Sequence, residues 1–207
     1  MQRFATETGR LEAFSDGVLA VIITIMVLEL RPPLVPTLHA LVPVLPTIAT
    51  YALSFVFIGI YWNNHHHMLR ASRGMDGRAM WANLHLLFWL SLVPFATAWL
   101  GANLFAVGPT VLYGVLLLLD AIAYTILQQQ LVRVNGADTP FARAVSVGIK
   151  EQASIVLYIG AIVVAFFSPT LAQIILISVA ALWFVPDRRF EPLIKADGGK
   201  SDASKRA

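Results

Sequence analysis

The sequence predicts an all-α, polytopic membrane protein with six transmembrane helices and both termini in the cytoplasm. Three observations carry that prediction. Of 207 residues, 57% are hydrophobic and 13% charged, where a soluble domain holds about 25% charged residues. Apolar runs recur at a length suited to a hydrocarbon core ~30 Å thick. Of the 15 Lys and Arg residues, all but Arg31 fall in alternate connecting segments, and the positive-inside rule assigns those segments to the cytoplasm. Residues 1–186 read as one six-helix transmembrane domain, and 187–207 as a charged cytoplasmic tail expected to be disordered. The expected location is the inner (plasma) membrane, as a multi-pass protein.

The first span lies within Arg10–Arg31. Arg10, Glu12, Ser15 and Asp16 open it, and Val18 to Leu28 is apolar except for Thr24. Glu29 and Arg31 close it, and Pro32-Pro33 stops the helix, because proline lacks the amide donor and clashes with the preceding turn. No small-residue cleavage site follows the apolar run, so it reads as a retained span rather than a signal peptide. The second run goes from Val44 to Trp62 and ends in Asn63, Asn64, His65, His66 and His67. The third starts near Ala79 and reaches Trp99, with Pro94 late in it. The fourth goes from Pro109 to Gln128 and carries Asp120 in its middle. Residues 132–147 form a connector in which Asp138 or Thr139, followed by Pro140, caps a further helix. The fifth run goes from about Gly148 to Phe167 and the sixth from Leu171 to Val185.

Depth follows from orientation. Arg10, Asp16, His65 to His67, Trp81, Asn83 and His85 all fall near the inner surface. Arg10 and Asp16 are six residues apart, about 240° around a helix, so they do not pair within it. Each needs a partner from another helix, and the histidines and Asn83 are the natural candidates. At about 100° per residue, Val21, Thr24, Ile25 and Leu28 share one stripe. That stripe is either a packing face, with Thr24 bonding the carbonyl four residues earlier, or a pore wall of apolar rings with one hydroxyl ring.

Several chemistries lack their residues. There is no cysteine, which excludes thiolate metal sites and disulfides. Three consecutive histidines point about 100° apart and do not converge on one ion, and no His-Glu-x-x-His spacing exists. Neither a Gly-x-Ser-x-Gly elbow nor a glycine-rich phosphate loop is present, so no enzyme, catalytic residue, metal centre, cofactor or nucleic-acid partner is expected. Asp120 reads either as a proton site or as a protonated acid bonded to a neighbouring helix. Glu29 and Arg31 read as an interfacial anchor or as a charged outer mouth.

At Arg10-Leu-Glu-Ala-Phe14-Ser15-Asp16 the chain resembles the transmembrane-protein-175 family of potassium channels, whose pattern is Arg, three residues, then Phe-Ser-Asp. The Tyr61-Trp62-Asn63-Asn64-His-His-His and Leu92-Val93-Pro94-Phe95 stretches also look like prokaryotic members. The resemblance implies a six-helix unit assembling as a homotetramer in lipid, with potassium as the permeant ion. It implies a pore lined by the first helix, with the constriction falling on Val21, Thr24 and Leu28, the stripe already read from periodicity. The motif with its arginine would hold the inner helix ends together, in a network of Arg10, Phe14, Ser15, Asp16, His66, His67, Trp81 and Asn83. The Thr-Val-Gly-Tyr-Gly filter is absent, so selectivity must come from side chains or an apolar constriction. The runner-up is a proton-conducting channel or proton-coupled transporter using Asp120 and the inner-end histidines.

Overall fold

The computed structural model describes residues 2–72, 74–146 and 148–184; side chains are described from residue 9 onward, except those of residues 146 and 184. The tail expected at 187–207, and the end of the domain at 186, lie outside the described residues. Eight α-helices and one 3₁₀ helix make up the regular structure, with no strand among the described residues. They are α1 (Gln2–Leu28), the 3₁₀ helix (Leu38–Val44), α2 (Leu45–Ala71), α3 (Gly77–Leu90), α4 (Val93–Ala102), α5 (Val107–Asn135), α6 (Pro140–Ser146), α7 (Ile149–Ala165) and α8 (Pro169–Phe184). The segments 9–28, 38–71, 77–102, 107–135 and 140–165 are each long and apolar enough to cross a membrane, and 169–183 is a shorter apolar helix.

Local chemistry sets most boundaries. The last turn of α1 tightens, with the Leu30 amide on the Val27 carbonyl, before Pro32-Pro33. Proline occupies the first turn of α2, where no intrahelical donor is needed. The Asp76 carboxylate accepts from the Ala79 amide at 2.8 Å and caps α3. Thr139 Oγ1 accepts from the Ala142 amide at 3.2 Å and caps α6 ahead of Pro140, so threonine rather than Asp138 takes that role. Gly136 ends α5 at φ 95°, a conformation that suits glycine.

Three boundaries differ from the sequence reading. The second helix does not end at Trp62 but runs on through the histidines to Ala71. Its 27 residues extend ~40 Å, so its inner turns project beyond a ~30 Å hydrocarbon layer. The third span breaks into α3 and α4 at Ser91-Leu92, because Pro94 has no amide for the Leu90 carbonyl. The fourth reaches Asn135, seven residues beyond Gln128.

α5 is central, packing against α3, α4, α6, α7 and α8. One apolar cluster joins α1, α2, α3 and α5 through residues such as Leu19, Ile58, Met68, Leu86 and Leu127. A second joins α2, α4, α5, α7 and α8 through Phe57, Leu100, Leu117, Tyr158 and Val179. At the outer end, a methyl group on Gly101 would meet the Thr47 backbone at 3.0 Å, so glycine lets α4 and α2 touch. Outside, Phe55, Val156, Val163, Phe167 and Ile174 are exposed; in a membrane such surface faces lipid.

A cytoplasmic clamp joins the α2–α3 loop to the end of α5. Arg133 donates to Asp76 at 2.6 Å, and Asn135 donates to Ser72 at 2.8 Å. The Ala79 amide, with Arg133, holds the Asp76 carboxyl below the usual carboxylate range. A depressed folded-state pKa contributes stability above the unfolded pKa of about 3.9, and that contribution is lost as pH falls through the folded value. Hydrogen exchange at the Ala79 amide, corrected for its intrinsic rate, is expected to stay slow at pH 5 and to speed up on acidification. In Asp76→Asn the acid response should disappear.

Candidate permeation face and inner-end network

α1 has two faces of different character. Leu11, Ser15, Leu19, Ile22 and Met26 follow a helical stripe and are buried against the rest of the subunit. Turned away from them are Val21 (54% exposed), Ile25 (44%) and Leu28 (78%), with Thr24 also exposed. The subunit leaves this second stripe without a packing partner of its own. Ile23 points elsewhere, half-buried against the core.

Thr24 donates its hydroxyl proton to the Val21 carbonyl at 2.9 Å. The acceptor is three residues back rather than the expected four. A hydroxyl oxygen has two lone pairs, and donating the proton inward leaves them available to a ligand. Thr24 therefore presents an oxygen, not a proton, on the exposed stripe. That polarity suits a cation.

At the inner end of α1 the polar residues sort into separate ties. Asn83 Nδ2 donates to Ser15 Oγ at 3.0 Å, and Asn83 Oδ1 lies 2.6 Å from His65 Nε2. Both oxygens accept best if Nε2 carries the ring proton, which fixes the tautomer. This chain links α1, α3 and α2, and Ser15, Asn83 and His65 are all buried. Asp16 makes a different bond, accepting from Trp62 Nε1 at 2.9 Å near the surface. Glu12 and His66 approach at 2.7 Å, the distance of an ion pair when the ring is protonated, though without the alignment of a hydrogen bond. His66 also stacks on Trp62, with ring centroids 5.8 Å apart, and His67 sits edge-on to His66.

Sequence reasoning placed Asp16 against a histidine or Asn83; its partner is Trp62 on α2. Ser15, one residue earlier, is the group that reaches Asn83. His65, Glu12 and Trp62 were not singled out as site residues. The signal for them is spacing: Glu12, Ser15 and Asp16 share a face at i, i+3 and i+4, as do Trp62, His65 and His66. Arg10 and Phe14 line a hollow of about 740 Å³ between α1 and α3, together with Met80 and Leu84. Trp81 is 74% exposed and stands outside the network. His85 stays on α3, accepting from Trp89 at 2.9 Å. Glu29 and Arg31 are exposed past the outer end of α1. Asp120 is wholly buried and belongs to another part of the subunit. No group of three or more His, Cys, Asp or Glu side chains converges as metal ligands among the described residues.

Known proteins share this arrangement. The family model described as endosomal/lysosomal potassium channel TMEM175 matches residues 10–94, the stretch from Arg10 through α3 to Pro94. A protein named as a potassium channel from Chryseobacterium sp. is 48% identical over 187 residues, spanning 90% of this chain and 97% of its own length. One similarly named from Streptomyces collinus is 34% identical over 151 residues, 67% of this chain and 73% of its own. The crystal structure of a lysosomal potassium-selective channel TMEM175 homologue from Chamaesiphon minutus superposes with a TM-score of 0.78 at 28% identity, covering 88% of this chain and 98% of that one. With the motif, the helix order and a near full-length relative in agreement, the chain belongs to the TMEM175 family of potassium channels.

Proposed function

We propose that four copies of this chain form a passive, potassium-favouring cation channel whose central pore is lined by α1. The observation that carries this reading is the two-faced burial of α1. One stripe is packed into the subunit, and the Val21, Thr24, Ile25 and Leu28 stripe is left for something outside it. The potassium-channel names of the relatives support the choice of ion.

In this arrangement four Val21 side chains form a dry ring, and four Leu28 side chains form a second one nearer the outer mouth. Apolar rings gate by dewetting, so conduction requires the helices to splay. Four Thr24 oxygens lie between the rings and replace part of an ion's hydration shell. Glu29 raises the cation concentration at the outer mouth, and Arg31 opposes it there. The ties through Ser15, Asn83 and His65, and through Asp16 and Trp62, anchor the inner end of α1 to its own subunit. Thr24→Val keeps the side chain's shape and removes the oxygens. It is expected to reduce discrimination between potassium and sodium more than it reduces flux, read as a shift in reversal potential in liposomes.

Both termini are placed in the cytoplasm by the distribution of basic residues. A reporter fused after Ala207 should behave as cytoplasmic, and one inserted beside Pro33 as external. The function itself is tested by reversal potentials of the reconstituted protein. A channel of this kind follows the potassium gradient. Current that follows the pH gradient alone, or no current at all, contradicts it.

A further inference from the structure

Behind the α1 wall, each subunit carries a second concentration of polar groups. A cavity of about 30 Å³ lies between α2, α5, α7 and α8, and Tyr61, Asn64, Tyr124, Glu151, Ser154 and Tyr158 supply its polar lining. A water needs about 10–15 Å³ of such space and two to four polar partners, so the cavity is roomy and polar enough to hold water. Ala121 also lines it. The preceding residue, Asp120, sits at the middle of α5, fully buried, and neither of its carboxyl oxygens has a hydrogen-bond partner.

The surroundings of Asp120 are hydroxyls, not charges. Tyr61 from α2, Tyr158 from α7 and Tyr113 from its own helix all lie within range of its charge. Tyr124, one turn on, packs edge-on to Tyr61 at 6.0 Å. Toward the outer side Tyr113 bonds Ser54 at 2.8 Å, and Thr97 donates to Ser54 at 2.7 Å. Toward the inner side Gln128 donates to Glu151 at 3.1 Å. Cations on neighbouring elements are engaged or remote: Lys150 of α7 lies over the Trp183 ring at 5.7 Å, and Arg78 of α3 is exposed at the cytoplasmic end. Arg143 lies on α6 at that same end, His65 is bonded to Asn83, and His85 is exposed on α3. Neither α4 nor α8 contains an ionisable side chain.

A bare carboxylate in such a place costs several kcal/mol or more of lost hydration. With no cation and no donor facing it, a proton is the ligand that removes this cost. We propose that Asp120 is an exchangeable proton-binding site inside each subunit, off the permeation path, which communicates with the inner face through the water-holding cavity and the hydroxyls of Tyr61 and Tyr158. A hydronium ion in the cavity gives its proton to one Asp120 oxygen and leaves as water, and release is the reverse. No electron or other group moves. The cavity adjoins the cytoplasmic half of α7, with Glu151 and Ser154 in its wall, so it is the cytoplasmic pH that this site reads.

Infrared spectroscopy of the full chain in lipid vesicles, with isotopically labelled aspartate, tests this. The expected spectrum has a protonated-carboxyl band at neutral pH that moves with the aspartate label, which separates it from Glu151. The band should be lost in Asp120→Asn and should shift within minutes of transfer to heavy water. Tyr61→Phe with Tyr158→Phe should slow that shift. Should Asp120→Asn fail to fold, the label and the heavy-water shift in the unmodified chain decide alone. The absence of a labelled protonated band overturns the proposal, because Asp120 is then ionised. A band that stays in place after a day in heavy water also overturns it, because the acid is then sealed and purely structural.

Discussion

Val21→Asn is expected to raise potassium flux through the reconstituted channel about tenfold or more, since each ~1.4 kcal/mol removed from a barrier is a factor of ten in rate. The reason lies in the geometry of α1. Val21 is 54% exposed on the stripe the subunit does not pack, so substitution there disturbs little of the subunit's own core. If four valines form the dry ring, four amides hydrate it, and the dewetting barrier falls without any movement of the helices. Ile23→Asn is the control, because Ile23 lies about 200° away around the helix and packs against the core. Its expected effect is on stability, with flux per folded channel unchanged. Flux measured for both variants in the same vesicles decides the assignment. If Ile23→Asn opened the path and Val21→Asn did not, the wrong face of α1 would have been given to the pore.

The largest expected loss of stability is for Asn83→Leu. Asn83 is fully buried and joins Ser15 on α1 to His65 on α2. Leucine is close in size but can bond neither, so it strands a buried hydroxyl and a buried ring nitrogen. Each stranded group costs about 1–3 kcal/mol, so the sum is a large part of a typical domain's stability of about 5–15 kcal/mol. Thermal unfolding in detergent, together with the yield of assembled protein, should show a severe drop. Asp16→Ala should cost less, because the bond from Trp62 to Asp16 is exposed and water replaces the lost partner. If Asp16→Ala were the more damaging of the two, the anchor of α1 would run through Trp62 rather than through Asn83.

What the sequence made legible was governed by period and length. The faces of α1 could be read because a helix repeats its apolar pattern whatever lies around it. The spans could be read because hydrocarbon demands long apolar runs. The inner half of α2 could not. Asn63, Asn64 and three histidines look like a helix end when judged by polarity alone. The helix continues there because Asn64 donates to the Ile60 carbonyl at 2.9 Å and His65 finds Asn83. Pro94 was visible, but the break it causes lies before it, at Ser91-Leu92. Pairings between helices were the least legible. Spacing puts Ser15 and Asp16 at adjoining angles on α1, and only the packing of α2 and α3 decides that Ser15 takes Asn83 while Asp16 takes Trp62.

The claim that the exposed stripe of α1 lines the pore can be tested most directly with single cysteines, because the chain has none of its own. Val21→Cys, Leu28→Cys, Ile23→Cys and Val156→Cys place one thiol each on the stripe, on the other side of α1, and on the exposed outer surface of α7. The measurement is potassium current before and after a positively charged thiol reagent is added from outside. The account predicts block at Leu28→Cys, slower block at Val21→Cys, protection of both by high potassium, and no change at Ile23→Cys or Val156→Cys. Block at Ile23→Cys or Val156→Cys, with Leu28→Cys unaffected, would contradict it.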